Sequence, residues 1–100
     1  MRIFITGCKG QLGRALAHAL AGHTLSGCDL PELDITDGAA IRAAIAAFAP
    51  DVVIHTAAWT DVDGCARDPE RAYLTNAIGA QNVALACAEA GAALMHISTN

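Results

Sequence analysis

Apolar positions along the chain alternate between short continuous runs and longer stretches with helical spacing. Arg2-Ile3-Phe4-Ile5-Thr6 is a short apolar run and predicts a buried strand. From Gln11 the period changes, and Leu12, Ala15, Leu16, Ala19 and Leu20 predict one buried helix face, with Gly22 as the stop. His23 to Asp29 reads as a second strand ended by Pro31, and Leu33-Asp34-Ile35 as a very short third. Asp37 is placed to cap a helix whose buried stripe is Ile41, Ala44, Ile45 and Phe48, closed by Pro50. Val52 to Ala58 is nearly continuously apolar, as in a strand covered on both faces. After a loop from Trp59 to Arg67, Asp68-Pro69 gives an N-cap and a proline at the first helical position. One long helix then runs to about Ala90, with Gly91 as its stop. Its inward face is expected to carry Tyr73, Ala77, Ala80, Ala84 and Cys87, with Asn76 on or beside it. Ala93 to Ser98 is a last strand.

Strands alternating with helices predict an α/β fold built on a doubly wound parallel sheet, with strand order 3-2-1-4-5. A ligand crevice then opens at the carboxyl ends of the first and fourth strands, where the winding reverses. The Gly7–Gly13 segment, Ala57 to Thr60 and Ser98-Thr99 all fall at those ends. With no repeat, low-complexity tract or linker, residues 1–100 read as one domain.

Composition narrows the function classes. Formal charge is −4 and there is no basic run, which argues against nucleic acid. There is no apolar stretch of the length that spans a membrane, and the start reads as a strand, not a signal peptide. Cys8, Cys28, Cys65 and Cys87 form no CxxC pair and no metal-like spacing with the histidines. Reduced thiols in a cytoplasm and no metal are the expectation.

The glycines carry the chemistry. Gly7, Gly10 and Gly13 lie between a strand and a helix, where unpaired N–H groups and the helix dipole favour a phosphate. Gly7 allows the turn, Gly10 lets backbone approach a pyrophosphate, and Gly13 lets helix and strand pack closely. Asp29 ends the second strand, where a carboxylate accepts hydrogen bonds from the adenosine ribose and repels a 2′-phosphate. Lys9 and Arg14 offer charge that softens this preference for NAD over NADP. Asp34 and Ile35 suit the adenine ring, although Asp34 suits an Asx-type turn nearly as well. Ala57 and Ala58 are small enough for a cofactor to lie across them, and Thr99 can hydrogen-bond a substrate carbonyl. His18, His23, His55 and His96 are read as structural or solvated.

These residues carry a resemblance. Thr6-Gly7-x-x-Gly10-Gln11-Leu12-Gly13 resembles the cofactor loop of extended short-chain dehydrogenases/reductases, whose fold is Rossmann-like. Leu33-Asp34-Ile35-Thr36-Asp37, Pro50-Asp51-Val52-Val53-Ile54, Ala57-Ala58-Trp59-Thr60-Asp61-Val62-Asp63 and His96-Ile97-Ser98-Thr99 are similar, in order and spacing, to the dTDP-4-dehydrorhamnose reductase family. The family uses NADH or NADPH to reduce a dTDP-4-keto-6-deoxy sugar to dTDP-L-rhamnose. The resemblance implies that Gly7, Gly10, Gln11, Leu12 and Gly13 meet the pyrophosphate. It places Asp34 and Ile35 near adenine, Ala57, Ala58 and Trp59 along the cofactor, and Thr60 and Val62 near the sugar. Thr99 becomes the hydroxyl of a Thr/Tyr/Lys catalytic set, and Asn76 a support for the active-site backbone.

The sequence departs from the family at His55, commonly Asn, and at Asn100, where Asp usually follows Ser-Thr. The Tyr-x-x-x-Lys segment does not occur within these residues: the single Tyr is Tyr73, with Ala77 four residues on, and the single Lys is Lys9. The chain is therefore expected to be the partial NAD(P)-binding domain of a parent enzyme, binding cofactor without turnover. A dTDP-sugar is the expected substrate of that parent, and a homodimer is compatible with the resemblance. The alternatives are another nucleotide-sugar epimerase or reductase, and a non-catalytic nucleotide-binding or regulatory module.

Overall fold

The structure, a computed structural model, describes residues 1–29, 32–56 and 68–97. Its elements in chain order are β1 (Arg2–Thr6), α1 (Gln11–Ala19), β2 (Thr24–Cys28), α2 (Gly38–Phe48), β3 (Val52–His55), α3 (Pro69–Ala90) and β4 (Ala93–His96). The strands form one parallel sheet in the order β2-β1-β3-β4. β1 lies at its centre, with Thr6 opposite Cys28 on one side and His55 on the other.

Alternation along the strands sends apolar side chains to both faces. Ile3, Ile5 and Ile54 face α1, where Leu16, Ala17 and Leu20 pack against them. Phe4, Cys28 and Val53 face the other way, onto Ile41 and Ile45 of α2 and Val83, Ala86 and Cys87 of α3. This three-layer arrangement is the doubly wound α/β fold expected from the sequence.

The short third strand does not form. Leu33 and Asp34 are coil and Ile35 enters a turn, so the expected 3-2-1-4-5 order becomes a four-stranded sheet without its first member. The Asp34 carboxylate explains the turn: its Oδ1 accepts from the Thr36 N–H at 2.9 Å and the Thr36 hydroxyl at 2.8 Å. A side chain that satisfies its own backbone competes with sheet pairing.

Two helix faces are rotated from expectation. On α1 the inward stripe is Gly13, Leu16, Ala17 and Leu20, while Leu12, Ala15 and Ala19 are exposed. Gly13 sets this rotation, because α1 seats its glycine against the β1 turn and swings Leu12 outward. On α3 the buried residues are Ala72, Gly79, Val83, Ala86 and Cys87, and Tyr73, Ala77 and Ala84 are exposed. Small residues here allow close approach to α2 and to the Ile35 turn. The capping expectations match the structure. Asp37 accepts from Ala40 N–H and Asp68 from Arg71 N–H, both at 3.1 Å, and Gly91 closes α3 at φ 69°.

Candidate functional site

The carboxyl ends of three strands are stitched into one floor. Gly7 N–H donates to the Cys28 carbonyl at 2.8 Å, and Cys8 N–H reaches the same oxygen at 3.2 Å. On the β3 side, Thr6 Oγ1 accepts from Thr56 N–H at 3.0 Å and lies 2.7 Å from His55 Nδ1. The Thr56 hydroxyl donates back to the Thr6 carbonyl at 2.5 Å. His55 is buried, and its ring packs against His96, tilted by 53° with ring centroids 4.9 Å apart. Burial first, and His96 second, push its pKa down to about 4, so the imidazole is neutral at pH 7. His55 is structural, as the sequence implied.

Above this floor sits the glycine turn. Gly7 takes φ 69°, and Gly10 N–H closes back on the Gly7 carbonyl at 3.0 Å. A Cβ at residue 13 would lie 2.2 Å from the Gly7 carbonyl oxygen and 2.8 Å from Cys8 Cα, so only glycine lets α1 begin here. Sequence reasoning missed a fourth glycine, Gly27 on β2. A Cβ there would meet the Ile5 carbonyl oxygen at 2.5 Å and Cys8 Cβ at 2.9 Å. The signal was available, since a glycine inside a strand marks close backbone approach.

α1 starts from Gly10 with no side-chain cap and no acidic residue in its first turn. Its leading N–H groups and the positive end of its dipole are therefore left for an anion. Gly10, Gln11 and Leu12 are exposed at this end, and the bare backbone of Gly10 keeps the approach open. The donor set and the glycine-lined cradle fit a diphosphate.

Asp29 stands beside the turn at the end of β2, and its Oδ2 accepts the Lys9 N–H at 3.0 Å. Lys9 Nζ pairs with both carboxylate oxygens of Glu32, at 2.6 and 2.5 Å, which holds the Glu32 pKa below the usual carboxylate range. Arg14 Nε donates to the Lys9 carbonyl at 2.7 Å. Asp34 and Ile35 lie in the turn before α2, which α3 clamps: Asn82 Nδ2 donates to the Ile35 carbonyl at 2.9 Å, and Gly79 packs against the Ile35 side chain. Neither the Lys9–Glu32 pair nor the Asn82 clamp was anticipated from sequence. Both join residues distant along the chain, with no periodic signal. Asn76 is half-buried on α3. Ala57, Ala58, Trp59, Thr60, Val62 and Thr99 lie outside the described residues.

Burial, with Cys8 and Asp29 nearby, pushes the Cys28 thiol up to about 12, and burial raises Cys87. Cys8, Cys28 and Cys87 are free thiols. Among the described residues no group of three or more metal-ligating side chains occurs, and no helix is long and apolar enough to cross a membrane.

A glycine turn leading into a helix N-terminus, set where a parallel sheet reverses its winding, defines a Rossmann-like fold. The chain belongs to the family described as RmlD substrate binding domain, whose model matches residues 1–100. It is 48% identical to the dTDP-4-dehydrorhamnose reductase of Mycolicibacterium smegmatis, over 99% of this chain and 30% of that protein. The crystal structure of dTDP-4-dehydrorhamnose reductase from Bacillus anthracis in complex with NADP superposes with a TM-score of 0.83 at 38% identity, covering 93% of this chain and 34% of that one. A Thermus thermophilus UDP-glucose 4-epimerase complex with NAD gives a TM-score of 0.84 at 26% identity, covering 91% and 35%. The chain thus spans about a third of the length of these relatives.

Proposed function

We propose that this chain is the cofactor-binding part of a reductase that uses NADH or NADPH to convert dTDP-4-dehydrorhamnose to dTDP-L-rhamnose. The observation that carries the reading is the uncapped start of α1 over a glycine cradle, in a chain whose family match runs end to end. Among the superposed structures, 38% identity to the Bacillus anthracis reductase against 26% to the epimerase favours reduction over epimerisation.

In this reading Gly7, Gly10, Gln11, Leu12 and Gly13 border the pyrophosphate: the glycines shape the cradle, and the leading N–H groups of α1, from Gln11 on, together with the α1 dipole, hold the anion. Asp29 accepts from the adenosine ribose, while Asp34 and Ile35 border the adenine. Ala57, Ala58 and Trp59 run along the cofactor, and Thr60 and Val62 border the sugar. A bound nicotinamide supplies the hydride that reduces the C4 carbonyl of the substrate. The Thr99 hydroxyl orients that carbonyl. Protonating the resulting alkoxide requires an acid, and a Tyr tuned by a Lys supplies one in this family; neither Tyr73 nor Lys9 is such a pair. Tyr73 is exposed on α3 and Lys9 is tied to Glu32.

The test is oxidation of NADH and NADPH by the purified 100-residue chain with the dTDP-keto-sugar. The expected result is cofactor binding without turnover, since general acid catalysis typically contributes about 10²–10⁴-fold. Turnover at the rate of a complete reductase would contradict the assignment of proton delivery to residues outside this chain.

A further inference from the structure

The pair Lys9–Glu32 bears on which dinucleotide the crevice prefers, an inference that rests on the cofactor reading above. The Lys9 backbone N–H is bonded to the Asp29 carboxylate, so the Lys9 side chain departs from the point assigned to the adenosine ribose. Its ammonium is held by both oxygens of Glu32, three residues beyond Asp29. Arg14, the other cation at this corner, has its Nε committed to the Lys9 carbonyl.

We infer that Glu32 is a specificity-determining residue: by holding the Lys9 ammonium, it withholds from a ribose 2′-phosphate the cation best placed to receive it. The charges support the direction. Asp29 and Glu32 bring two negative charges to this corner against Lys9 and Arg14, so with the Lys9 ammonium held by Glu32 the corner offers no net positive charge to an added phosphate monoester dianion. It tolerates the ribose diol of NADH, whose hydroxyls donate to Asp29. The pair is also releasable. Its side chains are 51% and 65% exposed, and ion pairs in water are weak and readily exchanged. Glu32 therefore sets a bias between two cofactors without excluding either.

The test is fluorescence titration of purified protein with NADH and with NADPH, for wild type, Glu32→Gln, Lys9→Met and the double variant. Both side chains are exposed, so the variants are expected to fold, which circular dichroism checks. Glu32→Gln should tighten NADPH binding by roughly two- to fivefold and move NADH by less than twofold. In the Lys9→Met background the same substitution should change the NADPH-to-NADH ratio by much less. An unchanged ratio in Glu32→Gln overturns the inference. A gain of equal size without Lys9 also overturns it, because Glu32 would then act through its own charge alone. If folded wild type binds neither dinucleotide, the cofactor reading itself falls and the inference with it.

Discussion

His55 shows how a single residue can look chemical and be structural. A histidine at the end of a central strand beside a ligand crevice invites a catalytic role. Its ring is instead buried, bonded to Thr6 and packed at a tilt against His96. Its folded pKa of about 4 lies below the ordinary value of 6.5, so between these values the unfolded chain binds more protons than the folded one. Stability from His55 is therefore complete above about pH 6.5 and is lost as pH falls toward 4, up to roughly 3 kcal/mol at 1.4 kcal/mol per unit. Denaturant unfolding of wild type and His55→Asn across that window checks this. Wild type should lose more stability than the variant on acidification, and parallel pH profiles would contradict the assignment. The carboxylates, Glu32 included, are common to both proteins and cancel in the comparison. The same scale explains why Asp34 was ambiguous from sequence: one carboxylate suits both an adenine contact and an Asx turn. Only the structure shows that its Oδ1 closes the turn.

At the scale of elements, helix and strand positions were legible because capping residues and breakers mark them chemically. Asp37, Asp68-Pro69 and Gly91 fall where the sequence placed them. The buried faces of α1 and α3 were less legible, because alanine is abundant and an alanine stripe has little contrast with its neighbours. Gly13 and Gly79 decide those faces, and their signal is close approach, not hydrophobicity. A Cβ at residue 79 would lie 2.3 Å from Ile35 Cδ1 and 2.7 Å from Cγ1. Helix propensity alone predicts that Gly79→Ala stabilises α3 by about 1 kcal/mol. The contact with Ile35 predicts the opposite sign, since overpacking costs about 1–3 kcal/mol. The expected outcome is a lower thermal midpoint together with weaker NADH binding, because Ile35 must move from the proposed adenine border. A raised midpoint with unchanged affinity would show that the α3 clamp on this turn is loose.

At the scale of the whole molecule, the site is a consequence of topology. β1 sits between β2 and β3, so its carboxyl end must meet theirs. The glycine turn, Asp29 and Thr56 thereby come together from positions far apart in the chain. The meeting of the strand ends was readable from the alternation of strands and helices; the sequence also placed Ala57 to Thr60 and Ser98-Thr99 there, and these lie outside the described residues. The Lys9–Glu32 pair was not readable, because it depends on the path of the chain after β2, where a strand was expected and a turn formed. In the proposed function the bare backbone of the glycine turn is a dinucleotide diphosphate site. That assignment is tested most directly by NADH fluorescence titration of folded wild type and Gly10→Val. Gly10 takes φ −71° at the start of α1, a backbone that valine can adopt, and it is exposed; a Cβ there would lie 3.3 Å from the Gly7 carbonyl oxygen, which a shift of a few tenths of an ångström relieves, and circular dichroism checks that the variant folds. Wild type should bind saturably and Gly10→Val at least tenfold more weakly, because the new side chain stands over the anion site. Equal affinities in the two folded proteins would contradict the account.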